Sequence, residues 1–496
     1  MGVVIRQSFW STLIVYTGVM IGFLNTLIIL PRFLEVEEIG LIRLIQANAM
    51  MIVPMALLGM NGAYIKYHSS LKLEPKLNNQ IITFQLLVIL GGAFLAILLA
   101  YLNQDFIKAL FEEKSSAYNK YLFITIIIFI SQSFFDYFIT YLWTQLNITF
   151  QNYLQEIQLR VVSLLIVLLY GFDLISLQWM IYLLASNYLV ALVILLFYVF
   201  RNYQITLDFR LGQLKREWIN KIIKFSAYSL TLTVGSSIFL NVSYSMTSTY
   251  LGLEENGILT VCIFIVTIIE LPKRVIIQIL APILSENFAK NDREQIKKNY
   301  TSSSINLGLI GFLLMIGIIT NLPDLFAIIP KGEVFQKGTS LIMVVSIARI
   351  AGMLLGVTPE LLTYSKYYKS NIYIMIVGAV AMILLNIWLI PTYGIIGAGI
   401  SILIAGLISQ LSRFIVVLVK LKLSPFTQKH LILFLISTSV FLIISQTPFN
   451  LHPIANIMVR SIITVIIFGS LAYFLKVSSE VNAIIHKVII QITKFF

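Results

Sequence analysis

Fourteen runs of about 20 mostly apolar residues follow one another along this chain, and no polar stretch between them is long enough to fold by itself. They fall near residues 9–30, 39–60, 80–102, 119–143, 154–171, 177–199, 221–245, 257–280, 302–322, 339–358, 371–390, 395–418, 430–447 and 456–475. A helix of about 20 residues crosses the hydrocarbon core of a bilayer, and inside lipid every backbone N–H and C=O must find its partner within the structure. The expected fold is therefore an all-α polytopic membrane protein of fourteen transmembrane helices. Composition agrees, since charged residues make up only 11% of the chain, against about 25% in soluble proteins.

Loop charges orient the segments. With the N-terminus in the cytoplasm, 26 of the 35 Lys and Arg residues fall on the inner side and 7 on the outer. The bias fits the excess of cations in cytoplasmic loops and predicts that both termini are cytoplasmic. Only Arg43 and Arg349 remain, both within apolar segments. The net charge of +13 does not point to nucleic acid, because no soluble domain is present to carry a basic face. The first segment has no small-residue cleavage site after it and reads as a retained helix. Arg6 occupies the position where N-myristoylation needs Ser or Thr. The single cysteine, Cys262, allows no intrachain disulfide and no cysteine-based metal site.

A faint repeat divides the chain. In PRFLEVEEIGLIRLIQANAM (31–50), Leu34, Glu37, Glu38 and Gly40 recur 217 residues later as Leu251, Glu254, Glu255 and Gly257 in STYLGLEENGILTVCIFIVT (248–267). The copies join segments 1 to 2 and 7 to 8, so they share one orientation in the membrane, as expected for parallel repeats related by an axis along the membrane normal. The predicted organisation is two pseudo-symmetric six-helix lobes: residues 1–200 (segments 1–6), a cytoplasmic linker at 201–220, and residues 221–420 (segments 7–12). Residues 421–496 add segments 13 and 14 and a cytoplasmic tail. Pro54 in segment 2 and Pro272 near the inner end of segment 8 stand almost in register as candidate bends.

Enzyme signatures are absent. No HExxH, GxSxG, CxxC or phosphate-cradling glycine loop occurs, and the four histidines are far apart, so neither a catalytic residue nor a cofactor or metal site is expected. Charge inside the membrane is the stronger signal. An ionised side chain at the bilayer centre costs about 2.5–3.5 kcal/mol on insertion scales, so such residues face protein or water. Arg43, Arg349, Arg274 and Lys273 form a candidate cationic site for an anionic group. Asp136 and Glu270 are candidates for a coupling proton or sodium ion. Mutual pairing that pins helices together is the structural alternative. Segment 7 adds 13 hydroxyl residues within positions 225–249. Such a helix is shielded from lipid and serves either as packing glue or as a wall for a sugar-like cargo. Ser229, Thr233, Ser237 and Asn241 are its candidate polar residues. Segment 1 carries a stripe of Ser11, Gly18, Gly22 and Asn25, expected to face the same cleft, with Asn25 as its candidate contact.

Four stretches carry a family resemblance. RQSFWSTLIVYTGVMIGFLNTLIILPRFLEVEEIGLIRL at the start, YLGLEENGILTVCIFIVTIIELPKRVIIQILAPILSENFAKND at 250–292, TYSKYYKSNIY at 363–373 and LNIWLIPTYGIIGAGIS at 385–401 resemble Wzx-type polysaccharide flippases, within the multidrug/oligosaccharidyl-lipid/polysaccharide exporter (MOP, MATE-like) superfamily. The resemblance spans segments 1 to 12. It implies two lobes with alternating access, and a cargo of undecaprenyl-pyrophosphate-linked oligosaccharide moved from the inner to the outer leaflet of the bacterial inner membrane. Polysaccharide polymerases are expected neighbours in assembly of O-antigen, capsule or exopolysaccharide. The competing readings are a multidrug or cation antiporter of the same superfamily, a lipid II flippase, and a non-transporting scaffold of a glycan-assembly complex. With no nucleotide-binding loop, the energy must come from ion gradients, membrane potential or removal of product.

Overall fold

The computed structural model describes residues 2–203, 205–447, 451–483 and 486; the expected cytoplasmic tail from residue 487 lies outside the described residues. The described chain is 88% helical and contains no strand. Twelve helices are long and apolar enough to cross a membrane, or thirteen if one bent pair counts as a single span.

The two expected segments missing from the twelve are interrupted helices. The tenth is built from Thr339–Leu354 and Thr358–Tyr364, bent by 46° at the break. Gly356 sits there at φ +56°, a left-handed conformation that glycine adopts without penalty and that ends an α-helix. The eighth runs as Leu253–Thr267, a 3-10 turn at Ile268–Glu270, and Leu271–Ala289. Pro272 has no N–H to give to the Ile268 carbonyl, and the chain tightens at that point. Pro54 does not bend its helix at mid-length. It lies in the last turn of Val36–Leu57, after which Leu58 and Gly59 take positive φ and lead into a separate helix, Met60–Leu71.

The chain divides into two compact units, residues 1–260 and 261–496. In the first, the helix of segment 2 packs against segment 3 (Pro75–Leu102), segment 4 (Leu122–Thr144) and the 35-residue segment 7 (Arg216–Tyr250). Segment 6 (Leu177–Asn202) packs on segments 4 and 5, and segment 1 on segment 5. In the second unit, segment 12 (Ile395–Val416) packs on segments 10 and 11 (Ser370–Tyr393), and segment 9 (Arg293–Ile328) on segments 8 and 10. The pairings 2 with 3, 2 with 4, 4 with 6 and 5 with 6 thus recur as 8 with 9, 8 with 10, 10 with 12 and 11 with 12, which is the sequence repeat expressed as packing.

Segments 13 (Gln428–Ser445) and 14 (Pro453–Phe474) pack on each other and on segment 9. A polar knot fastens them. Arg460 Nη1 pairs with Asp324 Oδ2 at 2.5 Å and donates to the Thr320 carbonyl and to Asn321 Oδ1, both at 3.0 Å. Asn456 Nδ2 donates to the other Asp324 oxygen at 2.9 Å.

Candidate functional site

Arg43 lies in the second turn of the segment 2 helix, about 10 Å from its first residue at 1.5 Å per residue. Its guanidinium carbon stands 3.9 Å from the centroid of the Tyr244 ring, a cation–π contact. Nη2 reaches Asn241 Oδ1 at 3.5 Å, the outer limit of a hydrogen bond, and Nε is buried with no acceptor. No carboxylate forms a salt bridge with it among the described residues. Segment 7 thus gives Arg43 an aromatic platform and one weak acceptor, and leaves its positive charge without a counter-ion.

The other polar candidates of segment 7 divide. Ser237 Oγ donates to the Met50 carbonyl at 2.6 Å, and Ser229 presses against Gly62, where a Cβ would collide with its hydroxyl. Both work as packing contacts to neighbouring helices. The Thr233 hydroxyl is turned to its own helix, at 3.1 Å from the Ser229 carbonyl. Asn241 donates to the Ser237 carbonyl at 3.0 Å, which holds its Oδ1 toward Arg43.

Asp136, within segment 4, accepts from Gln132 Nε2 at 2.7 Å and makes no ion pair among the described residues. The structural alternative, in which Asp136 pairs with Arg43 or Arg349, is not formed. In segment 1, Gly18 and Gly22 face segment 5: a Cβ on Gly18 would meet the Glu156 backbone and one on Gly22 the Arg160 guanidinium. The stripe is at these positions a packing seam. Asn25 follows within the π-helical turn Leu24–Ile29, with a buried Oδ1 that has no donor.

By charge, Arg160 counts among the 26 inner-side cations although it lies within segment 5, and Glu156 carries no expectation. The structure places both inside the helical run Ile148–Gly171, paired at 2.5 Å, with Arg160 Nη1 donating to the Gly18 carbonyl at 2.6 Å. Segment 5 reads as short because QNYLQEIQ is polar. Some of those side chains find internal partners, as in Gln158 Nε2 to Asn187 Oδ1 at 2.8 Å, while Asn152 Nδ2 is buried without one.

In the second unit the expected cations have different fates. Arg349 Nη1 pairs with Glu270 Oε2 at 3.0 Å, tying segment 10 to the 3-10 turn of segment 8. Lys273 Nζ donates to the Gly352 carbonyl at 2.9 Å. That carbonyl belongs to the last turn before the bend, where the Gly356 N–H bonds to Met353 instead, so the lysine satisfies a helix-end acceptor. Arg274 is exposed and has no salt-bridge partner among the described residues. Glu360 and Arg413, neither of them expected as site residues, lie within electrostatic reach of Lys273. Glu360 Oε2 and Arg413 Nε are buried with no hydrogen-bond partner. Five charged groups thus gather where segments 8 and 10 break. Among the described residues no cluster of His, Cys, Asp and Glu suits a metal ion.

The polysaccharide biosynthesis protein family matches residues 4–288. No curated protein matches the sequence. Among solved structures, the fold is similar to one described as "Lipid II flippase MurJ, inward closed conformation", with 15% identity, 94% of this chain and 98% of that chain covered, and a TM-score of 0.75. It is also similar to an inward-facing multidrug resistance MATE family transporter of the MOP superfamily, at 12% identity, 82% and 96% coverage and a TM-score of 0.63. A MOP superfamily transporter from Pyrococcus furiosus, whose description reports a reversed polarity of the binding pocket, matches at 12% identity, 83% and 94% coverage and a TM-score of 0.57.

Proposed function

Because the chain belongs to the polysaccharide biosynthesis protein family, we propose that it flips a polyprenyl-pyrophosphate-linked oligosaccharide from the inner to the outer leaflet of the bacterial cytoplasmic membrane, by alternating access, for assembly of a surface polysaccharide. The observation that carries this reading is Arg43. A guanidinium within a membrane helix, with a ring beneath it and no carboxylate beside it, calls for an anion from outside the protein. A diphosphate fits that need, since guanidinium presents parallel donors to two oxygens. Within the second unit, Arg274 is exposed and has no salt-bridge partner among the described residues. Arg349 and Lys273 are available only if Glu270 and the Gly352 carbonyl release them.

On this reading the half-buried face of segment 7 at Thr233, with Asn241 buried beside Arg43, takes the glycan, and the polyprenyl chain stays in the bilayer. Asp136, which has no cation partner, is the better candidate for a coupling proton or sodium ion, and Glu270 the weaker. A polysaccharide polymerase is the natural recipient of the flipped product. One observation favours a second reading: the matched flippase fold is described as acting on lipid II, whose pyrophosphate would suit the same arginine.

The test is leaflet accessibility. Spheroplasts with and without the protein are treated with an impermeant glycan-modifying enzyme. Lipid-linked glycan that stays protected without the protein and becomes modified when it is restored is the expected result. Unchanged accessibility in a strain lacking other flippases contradicts the reading. Radiolabelling of the protected lipid separates lipid II from other glycans.

A further inference from the structure

A cavity of about 550 Å³ opens in the second unit, on the side proposed above to be cytoplasmic, where the start of segment 9, the start of segment 13 and the chain after segment 14 meet. Lys298, Lys429 and Glu480 line it together with the hydroxyls of Ser302, Ser478 and Ser479. Those hydroxyls are committed. Ser302 Oγ donates to Glu480 Oε1 at 2.7 Å and Ser479 Oγ to Oε2 at 3.1 Å, while the Ser478 hydroxyl, 3.2 Å from Oε2, is closer to Asn306 Oδ1 at 2.6 Å. They fix the carboxylate in place without neutralising it. Burial raises the Glu480 pKa, but these donors outweigh it and bring the carboxyl below its ordinary value.

Neither lysine forms an ion pair with Glu480 or with any other carboxylate among the described residues. Opposite charges therefore face one void and leave each other unneutralised. The N-terminus of segment 13 does not account for the site, because Thr427 and His430 already cap it reciprocally. A ligand complementary to this arrangement carries both signs at once. Ser302 also borders a smaller cavity of about 210 Å³, whose walls include Ile276, Ile279 and Leu280. Its other walls are polar, from Asn299, Ser303 and Asn306, so apolar and polar side chains meet beside the charged cavity.

We propose that this cavity binds a phosphate ester bearing a primary ammonium, with the phosphate between Lys298 and Lys429 and the ammonium on Glu480. Ile276, Ile279 and Leu280 in the wall of the neighbouring cavity offer an acyl chain apolar contact, so the source to which the proposal commits is a bilayer phospholipid with an aminoethyl headgroup. The site is separate from Arg43, and its occupant is structural or regulatory lipid instead of cargo.

The experiment uses the full chain, delipidated in detergent and supplied with phosphatidylethanolamine, with phosphatidylglycerol, or with free O-phosphoethanolamine. Retained ligand is counted by native mass spectrometry. The expected result is one phosphatidylethanolamine held about tenfold more tightly than phosphatidylglycerol. Lys298→Ala with Lys429→Ala weakens both lipids, whereas Glu480→Gln, which keeps the side chain's size and removes its charge, abolishes the preference and leaves phosphatidylglycerol binding unchanged. Equal retention of the two lipids by the wild type, or a preference that survives Glu480→Gln, overturns the zwitterionic site. Displacement of the lipid by equimolar free O-phosphoethanolamine overturns the assignment to a bilayer lipid.

Discussion

Gly40 and Gly257 stand 217 residues apart in sequence and in backbone contact. A Cβ on Gly40 would strike the Leu253 carbonyl and lie 2.9 Å from the Gly257 nitrogen, and a Cβ on Gly257 would strike the Val36 carbonyl. Val36 and Leu253 are themselves 217 residues apart, so the two copies of the repeated hairpin meet through equivalent surfaces. Asn256 Nδ2 closes the contact at 2.8 Å from the Gly40 carbonyl. The hairpin is repeated because each copy supplies half of one self-complementary contact. Its acids also cap: Glu38 Oε2 accepts from the Glu35 N–H at 2.9 Å in a capping box.

Neither glycine therefore tolerates a side chain. Gly40→Ala and Gly257→Ala are each expected to lower stability by about 1–3 kcal/mol, the usual cost of forcing atoms into a packed contact. The colliding atoms are backbone, which cannot rotate away. Thermal unfolding of the purified single and double variants measures this. The double variant is expected to cost less than the sum, because both residues open the same gap.

The Glu270–Arg349 pair ties the two interrupted segments of the second unit together. Glu270→Gln is expected to cost up to about 3 kcal/mol by stranding Arg349, less than a fully buried pair would, because the side chains keep 30% and 21% exposure. The reversed pair, Glu270→Arg with Arg349→Glu, recovers part of that stability. Transport measured beside stability separates the roles: a purely structural pair regains transport with the fold, whereas a site that needs Arg349 for its anion does not.

Lys273→Met removes the donor that completes the helix end at Gly352 while keeping most of the stem's apolar bulk. Hydrogen exchange is expected to accelerate at residues 352–360, next to the 46° bend, while segments 13 and 14 keep their protection. Uniform loss of protection across the second unit would contradict a local capping role.

Asp324→Asn and Arg460→Gln test the attachment of segment 14 to segment 9. The pair is only 14% and 11% exposed, so either change alone strands a nearly buried charge and is expected to cost about 3–5 kcal/mol. A double variant that costs no more than either single one is the signature of this pair.

The helices were legible because lipid leaves a hydrophobic chain no other structure. Twelve of the expected segments appear as helices long enough to span, thirteen if the bent pair counts as one, and the differences sit where a helix is interrupted or polar. Pro272 announced the break in segment 8, but nothing apolar or polar in the run around Gly356 announced its left-handed φ. The helical run begins at Ile148, earlier than segment 5 does in the sequence, because its first residues are polar and partners such as Asn187 come from another segment. The sites were legible only in part for the same reason. Charge at Arg43 is visible in one line of sequence, while Tyr244 beneath it and the absence of an acid beside it are facts of packing. Glu360 and Arg413 carry no site signal in the sequence, and only the fold brings them within electrostatic reach of Lys273. Ser229 and Ser237 had the right chemistry for a polar wall, and the structure uses them against helices of the first unit.

Arg43 carries the account, and it is tested by flipping itself. Protein with Arg43→Ala, Arg43→Lys or Tyr244→Leu is compared with wild type in the spheroplast accessibility assay at matched expression and matched thermal stability. The account predicts that Arg43→Ala leaves the lipid-linked glycan on the inner leaflet, that Arg43→Lys restores only part of the movement because a single ammonium replaces a two-pronged donor, and that Tyr244→Leu weakens it. Full transport by a stably folded Arg43→Ala protein would contradict the account.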